Sequence, residues 1–216
     1  MAPDDELPYF NKTTGELSGS FPNLFVPAGL TFSIWGIIYL LLIVYCIVQF
    51  TGLNQVVIKD IGWLFGVTCV LNASWIVFWH YGKLPLSLVV MAGLLVTLIL
   101  INLKIQNLPL GIIKASFGIY LGWICIATIA NVTALLVNYS WNGFGISEEA
   151  WTIIMISAGT VIAALAIYRL INPFAGLAVI WAFTGIILKR HEDYRSIVIT
   201  AAVAIIIVTV VTVYKF

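Results

Sequence analysis

Residues 62–81, GWLFGVTCVLNASWIVFWHY, form an apolar run long enough to cross a bilayer, because a helix needs about 20 apolar residues to span roughly 30 Å of hydrocarbon. The run nevertheless has Asn72 at its centre, followed by Trp75 and Trp79. An amide that faces lipid has no hydrogen-bond partner. The run therefore predicts a transmembrane helix whose polar and aromatic side is turned toward other helices.

Composition places the whole chain in the same class. Of the 216 residues, 62% are hydrophobic and only 9% are charged, whereas about a quarter of an average globular chain is charged. All nine acidic residues lie outside the long apolar runs, and the net charge is +1 with no basic stripe. These features predict an integral membrane protein whose partner is the lipid bilayer, and they argue against a nucleic-acid partner.

The predicted fold class is all-α: a polytopic helical membrane protein with about seven transmembrane helices. Breaks that contain charged residues, Gly, Asn or Pro separate the apolar runs. The fifth and sixth runs are joined only by Ile171, Asn172 and Pro173, which predicts a tight helical hairpin. The predicted spans cover residues 27–50, 61–81, 85–105, 112–137, 150–169, 172–189 and 196–214.

Two segments lie outside the spans. Residues 1–25 carry acids, prolines and turn formers without an apolar core, so they predict a polar N-terminal segment in water and not a signal peptide. Residues 138–149 predict an acidic loop. Lys and Arg divide five to five between the two sides of the predicted bundle, so the positive-inside rule leaves its orientation open.

Three spans place aromatic and amide side chains on one helix face, as their spacing of three or four residues shows. In the second span these are Thr68, Asn72, Trp75 and Trp79. In the fourth span they are Tyr120, Trp123, Ala127 and Asn131, and in the first Ala28, Phe32, Trp35 and Tyr39. We expect Asn72 and Asn131 to point into the bundle, because an amide facing lipid would be unpaired.

Two interpretations of these stripes are open. Aromatic residues near span ends commonly form interfacial belts, and a buried Asn commonly joins two helices with about 1 kcal/mol. Trp79 and Tyr81 lie near the end of their span and suit a belt. Trp35, Trp75 and Trp123 lie deeper. If the three stripes converge, they form an apolar lining with a few polar groups, which is typical of a pocket for a bulky hydrophobic ligand.

The chain resembles the TspO/MBR family, the translocator or tryptophan-rich sensory proteins, over about residues 26–137. PAGLTFSIWGIIY (27–39) is similar to the family's Pro-rich helix start that ends in Trp-x-x-x-Tyr. LNASWIVFW (71–79) is similar to its Leu-Asn-x-x-Trp-x-x-x-aromatic signature. YLGWICIATIAN (120–131) matches its Tyr-Leu-x-Trp-x-x-x-Ala-Thr-x-x-Asn signature. The three motifs also occur in the family's order.

The resemblance implies a membrane protein that binds tetrapyrroles, sterols or related flat hydrophobic molecules, often as a homodimer. It implies porphyrin or haem as a ligand and no required cofactor. Some bacterial members are reported to promote porphyrin breakdown, so whether this chain is an enzyme is left open. Together, the stripes and the resemblance predict a ligand site formed by Phe32, Trp35, Tyr39, Asn72, Trp75, Trp79, Tyr120, Trp123, Ala127 and Asn131.

The chain departs from the family pattern in three places. Gly29 and Thr31 occupy the positions just after the proline where the family often has an aromatic pair. The family has five helices, and its first should precede the Pro-rich stretch, where this chain has the polar segment 1–25. Residues 150–216 predict three additional spans beyond the TspO-like core of 26–137. We expect the last of them, 196–214, to face lipid or a partner without a binding role, and we expect Trp181 in the sixth span to contribute little to binding.

Other functions remain as alternatives. A small-molecule transporter fits the span count, but no acid or base lies in the middle of a span to couple ions. An accessory or scaffold subunit of a membrane complex is also compatible with the sequence. His80 and His191 are predicted to be an interfacial residue and part of a solvated charge cluster, and no catalytic or metal-ligand motif is present. A bacterial-type plasma membrane is the predicted location, with an organelle membrane as the alternative.

Overall fold

The structure, a computed structural model, describes residues 11–52 and 55–216. Within these ranges all regular elements are helical. Two short 3₁₀ helices, Gly29–Ser33 and Gly143–Gly145, accompany the α-helices. The α-helices are α1 Thr14–Gly19, α2 Ile34–Val48, α3 Gln55–Ile61, α4 Trp63–His80, α5 Leu84–Ile105, α6 Ile112–Asn138, α7 Glu148–Leu170, α8 Phe174–Arg190 and α9 Arg195–Lys215.

Each of the seven predicted spans corresponds to a long helix, and the fold class is confirmed. Six helices in the described ranges are long and apolar enough to cross a membrane, with the 3₁₀ helix Gly29–Ser33 and α2 forming the first of them. The predicted sixth span is α8, which has 17 residues and is therefore about 26 Å long. The predicted hairpin between α7 and α8 is also present, since Ile171 ends α7 in a left-handed conformation with φ 50°.

Consecutive long helices run in opposite directions. His80 at the end of α4 lies 3.2 Å from the carbonyl oxygen of Lys12, whereas the ring of Phe174 at the start of α8 lies 5.4 Å from that of Phe216. One face, here called the N-terminal face, holds residues 11–28, 81–83, 139–147 and 191–194. The opposite face holds residues 49–52, 106–111, 171–173 and 216.

Helix α8 lies at the centre of the C-terminal half, between α6, α7 and α9. Its buried face is built mainly from small residues, Ala175, Gly176, Ala178, Val179, Ala182 and Gly185 among them. Small side chains let helix backbones approach closely in a membrane. At Gly122 of α6 the approach is so close that a Cβ atom would overlap the carbonyl oxygen of Ala175.

A polar network joins α5, α6 and the α7–α8 hairpin inside the bundle. The Asn172 amide donates to Asn102 Oδ1 at 2.7 Å and to the Lys114 carbonyl oxygen at 2.9 Å. The Lys114 ammonium donates to the carbonyl oxygens of Gln106 at 2.9 Å and Ile171 at 2.7 Å, where α5 and α7 end. A helix C-terminus has carbonyl oxygens without intrahelical partners, so Lys114 stabilises the ends of both helices.

The sequence predicted an N-terminal segment in water, but this segment, taken from here on as the residues before the 3₁₀ helix Gly29–Ser33, is partly buried. Of its described part, residues 11–28, several side chains pack against the bundle, and Leu17 and Phe25 are each 1% exposed. Helix α1 begins with a capping box in which the Thr13 backbone N–H and hydroxyl donate to Glu16, and these bonds hold the pKa of Glu16 below its usual value. Arg190 of α8 holds the segment down from the other side. Residues 1–10 lie outside the described ranges.

Candidate ligand-binding site

The three predicted stripes converge on one place in the bundle. The indole of Trp35 on α2 is at the centre: its ring centroid lies 5.5 Å from that of Trp75, 6.1 Å from Tyr120 and 6.2 Å from Trp123. Trp75 in turn stacks on Trp79 at 5.9 Å. Such separations lie within the range at which aromatic rings attract one another. We call these five residues, with Phe32 and Tyr39, the aromatic cluster.

The cluster is buried, including a residue that sequence position alone would assign to an interfacial belt. Trp79 is only 4% exposed, and the ring of Phe21 from the N-terminal segment covers it at 5.7 Å. Phe32 is half-buried and meets Trp123 edge-on at 5.8 Å. Tyr39, which is 38% exposed, forms the edge of the cluster on the lipid side.

Both predicted asparagines point into the bundle, which confirms that expectation. Asn131 Oδ1 accepts from the Trp75 indole at 3.4 Å and from the Ser87 hydroxyl at 2.8 Å. The Asn72 amide donates to the Tyr39 hydroxyl oxygen at 3.1 Å. Ser87 on α5 was missed by sequence reasoning, because a single serine in an apolar run carries no periodic signal.

Three polar atoms of the cluster, and one of the adjoining Asn72, are buried without a hydrogen-bond partner. They are Asn72 Oδ1, Trp79 Nε1, Tyr120 OH and Trp123 Nε1. In the described part of the chain, one further side-chain atom, Thr212 Oγ1, has this property. Buried polar groups are normally paired, since an unpaired one costs about 1–3 kcal/mol. Their concentration at one place provides two N–H donors, one hydroxyl and one carbonyl acceptor to anything that enters the cluster.

The space inside the aromatic cluster is small in this structure. A cavity of about 30 Å³ lies against Phe32, Trp35, Trp75, Trp79, Trp123 and Ala127, and Ser18, Phe25 and Pro27 of the N-terminal segment close it. That volume holds about two water molecules, whereas pockets for drug-sized ligands measure roughly 300–1,000 Å³. The structure therefore has the cluster in a closed form, and a flat ligand would enter only if the rings and the covering segment moved apart.

The C-terminal helices support the site from behind. The Trp181 indole donates to the Thr31 carbonyl oxygen at 2.8 Å, and the Ala28 N–H donates to the Gly185 carbonyl oxygen at 3.0 Å. Both bonds hold the 3₁₀ helix that carries Phe32. Trp181 therefore bonds the element that carries Phe32, and its small expected contribution to ligand binding stays a prediction. Trp63, which is 91% exposed, has no such bond among those described and is the better comparison position.

Metal ligation has no support in residues 11–52 and 55–216, where no three His, Cys, Asp or Glu side chains come together. His80 lies close to the cluster but its two ring nitrogens face the carbonyl oxygens of Ile76, at 2.8 Å, and Lys12, at 3.2 Å. Its ring therefore holds the N-terminal segment against α4.

The fold and the site define a polytopic helical membrane protein with an aromatic, amide-containing interior. A family model described as TSPO-like protein matches residues 5–214, and the chain belongs to that family. The match extends past residues 26–137 on both sides, so it includes the three C-terminal helices and most of the N-terminal segment. No curated protein and no solved structure matches the chain.

Proposed function

We propose that this membrane protein binds a flat hydrophobic molecule, a porphyrin, haem or sterol-like compound, between α2, α4 and α6, in a sensory, transport or tetrapyrrole-handling role. The observation that carries the proposal is the set of four unpaired polar atoms at the aromatic cluster. Indole N–H groups would donate to the carboxylate or carbonyl oxygens of such a ligand, and Asn72 Oδ1 would accept from a hydroxyl or pyrrole N–H. If these four atoms form hydrogen bonds with a bound ligand, the complex no longer has the free-energy cost of leaving them unpaired.

The arrangement of the indole rings also supports a flat ligand. Trp35, Trp75 and Trp123 present indole surfaces to one another in the closed form, and a planar ligand could replace these contacts with equivalent ones. An aromatic pair contributes about 0.5–1.5 kcal/mol beyond the area that it buries. The contacts of a ligand that stacks between two indoles would therefore offset the loss of the contacts between those indoles.

The test is a titration of the purified protein with protoporphyrin, haem and a sterol analogue, followed by absorbance and tryptophan fluorescence. Replacing Trp123 by Leu should weaken binding of the preferred ligand about five- to tenfold, since one stacking contact of about 1 kcal/mol is lost. Trp63→Leu is the matched control, because it removes an indole that is exposed and distant from the cluster. Equal effects of the two substitutions, or no saturable binding of any of the three compounds, would refute the proposal.

An ion-coupled transporter is less well supported. Such a mechanism needs an ionisable group within the membrane that changes its charge or partner. Among the described residues, Lys114 is the one Lys, Arg, Asp or Glu that is buried, and its side chain is held by two carbonyl oxygens at the ends of α5 and α7. That position stabilises helix ends and does not face the aromatic cluster.

A further inference from the structure

A second cavity lies outside the aromatic cluster, at the N-terminal face. It measures about 240 Å³, is partly open, and is lined by the end of α6, the start of α7 and residues 22–25. Leu136 and Met155 form part of its apolar wall, and Trp141 and Trp151 its aromatic wall. Phe25 lines both this cavity and the small cavity of the aromatic cluster.

The walls of this second cavity are held by specific contacts. The rings of Trp141 and Trp151 lie 5.0 Å apart, and the Trp151 indole donates to the Gly143 carbonyl oxygen at 2.8 Å. Ser140 and Phe144 have positive φ angles of 52° and 55°, which non-glycine residues rarely adopt. These contacts fix the conformation of the loop between α6 and α7, which forms one wall of the cavity.

Residues 23 and 24 of the remaining wall are held by Arg190. Its guanidinium donates to the carbonyl oxygens of Asn23 at 2.8 Å and Leu24 at 3.1 Å. Three separate elements form the cavity, and hydrogen bonds or ring contacts fix each of them. The cavity is therefore expected to keep its shape in the folded protein.

Glu148 places a carboxylate at the rim of the cavity. The C-terminal end of α6 has a partial negative charge and the N-terminal end of α7 a partial positive charge. Both ends lie at this cavity, so the two contributions offset each other. Glu149, the next acid, is used elsewhere, since its carboxylate accepts from the Ser196 hydroxyl. Among the residues that line the cavity, Glu148 is the one with a charged side chain. The site therefore combines an apolar body, two indoles and one exposed carboxylate.

We propose that this second cavity binds a small apolar molecule that carries one protonated amine, with its ammonium group at Glu148 and its hydrocarbon part between Trp141, Trp151 and Leu136. A carboxylate attracts the ammonium directly, and nearby indoles favour a cation further. The volume is below the range for drug-sized ligands, which suits a molecule of the size of a phenylalkylamine. This site is separate from the proposed porphyrin site and does not depend on it.

The test compares 2-phenylethylamine with 2-phenylethanol, which have the same skeleton and differ in the ammonium group. Calorimetric titration of the full chain in zwitterionic detergent, with protein-free detergent subtracted, should show the amine binding about tenfold more tightly than the alcohol. Glu148→Gln should reduce this preference to less than about twofold. Glu192→Gln is the matched control, since it removes the same charge from an exposed loop on the same face.

Two further variants locate the bound amine. Leu136→Trp fills the cavity and should abolish binding of both compounds, whereas Trp123→Leu in the aromatic cluster should leave the amine affinity unchanged. The proposal is overturned if the wild-type chain binds both compounds equally or binds neither. It is also overturned if Glu148→Gln and Glu192→Gln have the same effect, or if Trp123→Leu removes amine binding and so places the amine in the aromatic cluster.

Discussion

At the scale of single residues, the unusual feature of this protein is polar atoms left unpaired among tryptophans. An unpaired buried polar atom destabilises the fold, and two N–H groups, one hydroxyl and one amide oxygen are unpaired at the aromatic cluster. Asn131 shows that the cluster can also satisfy its polar groups, because its amide oxygen accepts from both Trp75 and Ser87. The unpaired atoms are therefore a property of particular positions and not of poor packing in general.

The substitution Tyr120→Phe distinguishes the effect of an unpaired polar atom on stability from its effect on ligand binding. The substitution removes a hydroxyl that has no partner. The free energy of unfolding in detergent should therefore stay the same or rise by up to about 1 kcal/mol. If the hydroxyl bonds the ligand, affinity for the porphyrin should fall about fivefold, as expected for the loss of one hydrogen bond. Tyr214→Phe, at an exposed position, should change neither quantity. Lower stability of Tyr120→Phe with full affinity would show that the hydroxyl is paired and has a structural role.

At the scale of elements, α8 and the N-terminal segment decide how the site is closed. Helix α8 packs against α6, which carries Tyr120, Trp123 and Asn131, and it also bonds the 3₁₀ helix that carries Phe32. The N-terminal segment in turn is held by Arg190 at the end of α8. One central helix thus positions both a wall and the cover of the aromatic cluster.

Gly122→Ala tests the close approach of α6 and α8. Alanine normally stabilises a helix relative to glycine by up to about 1 kcal/mol, but at Gly122 its methyl group would overlap the Ala175 carbonyl oxygen. We therefore expect a loss of about 1–3 kcal/mol in unfolding free energy, as for other overpacked positions. Gly66→Ala is the control, because a Cβ atom there meets no other atom within 4 Å. Stabilisation by both substitutions would mean that α6 and α8 are further apart than described.

Arg190→Met tests the attachment of the N-terminal segment. Removing the two guanidinium bonds to Asn23 and Leu24 should increase local opening, so backbone amides of residues 20–28 should exchange hydrogen at least about threefold faster. Arg195→Met removes an exposed cation from the next helix and should leave this exchange unchanged. If the two variants exchange alike, other contacts hold the segment.

At the scale of the whole molecule, the two ends of the described chain lie on opposite faces of the bundle, as expected if all seven long helices cross the membrane. The assignment depends on α8, whose 17 residues make it the shortest of the seven spans when α2 is counted with the 3₁₀ helix before it. A helix somewhat shorter than the hydrocarbon layer still spans it by local thinning of the bilayer or by movement of flanking residues to the interface. Lys189, Arg190 and Arg195 flank one end of α8 and suit that role.

Cysteine accessibility checks this topology. In a background in which the three native cysteines are replaced by alanine, single cysteines would be placed at Gly19, Leu110, Asn142, Glu192 and Phe216. A membrane-impermeant maleimide should label positions 19, 142 and 192 from one side and positions 110 and 216 from the other. Labelling of position 192 together with position 110 would show that α8 does not cross.

Local chemistry in the sequence determined the helices and their inward faces. Hydropathy defines a span because the membrane requires about 20 apolar residues in a row, and the spacing of Asn72 with Trp75, or of Trp123 with Asn131, defines a face because a helix turns every 3.6 residues. Both signals lie within one element, so no knowledge of neighbours is needed. The resemblance of three motifs to one family is local in the same sense.

Tertiary structure decided everything that depends on which elements meet. The N-terminal segment reads as polar, yet Leu17 and Phe25 are buried because the bundle offers them an apolar surface. The central place of α8 follows from glycine and alanine on two helices facing each other, which neither helix shows alone. The closed aromatic cluster and the cavity at Glu148 depend on side-chain positions from several elements at once, because a volume is a property of the packed whole and not of any one segment.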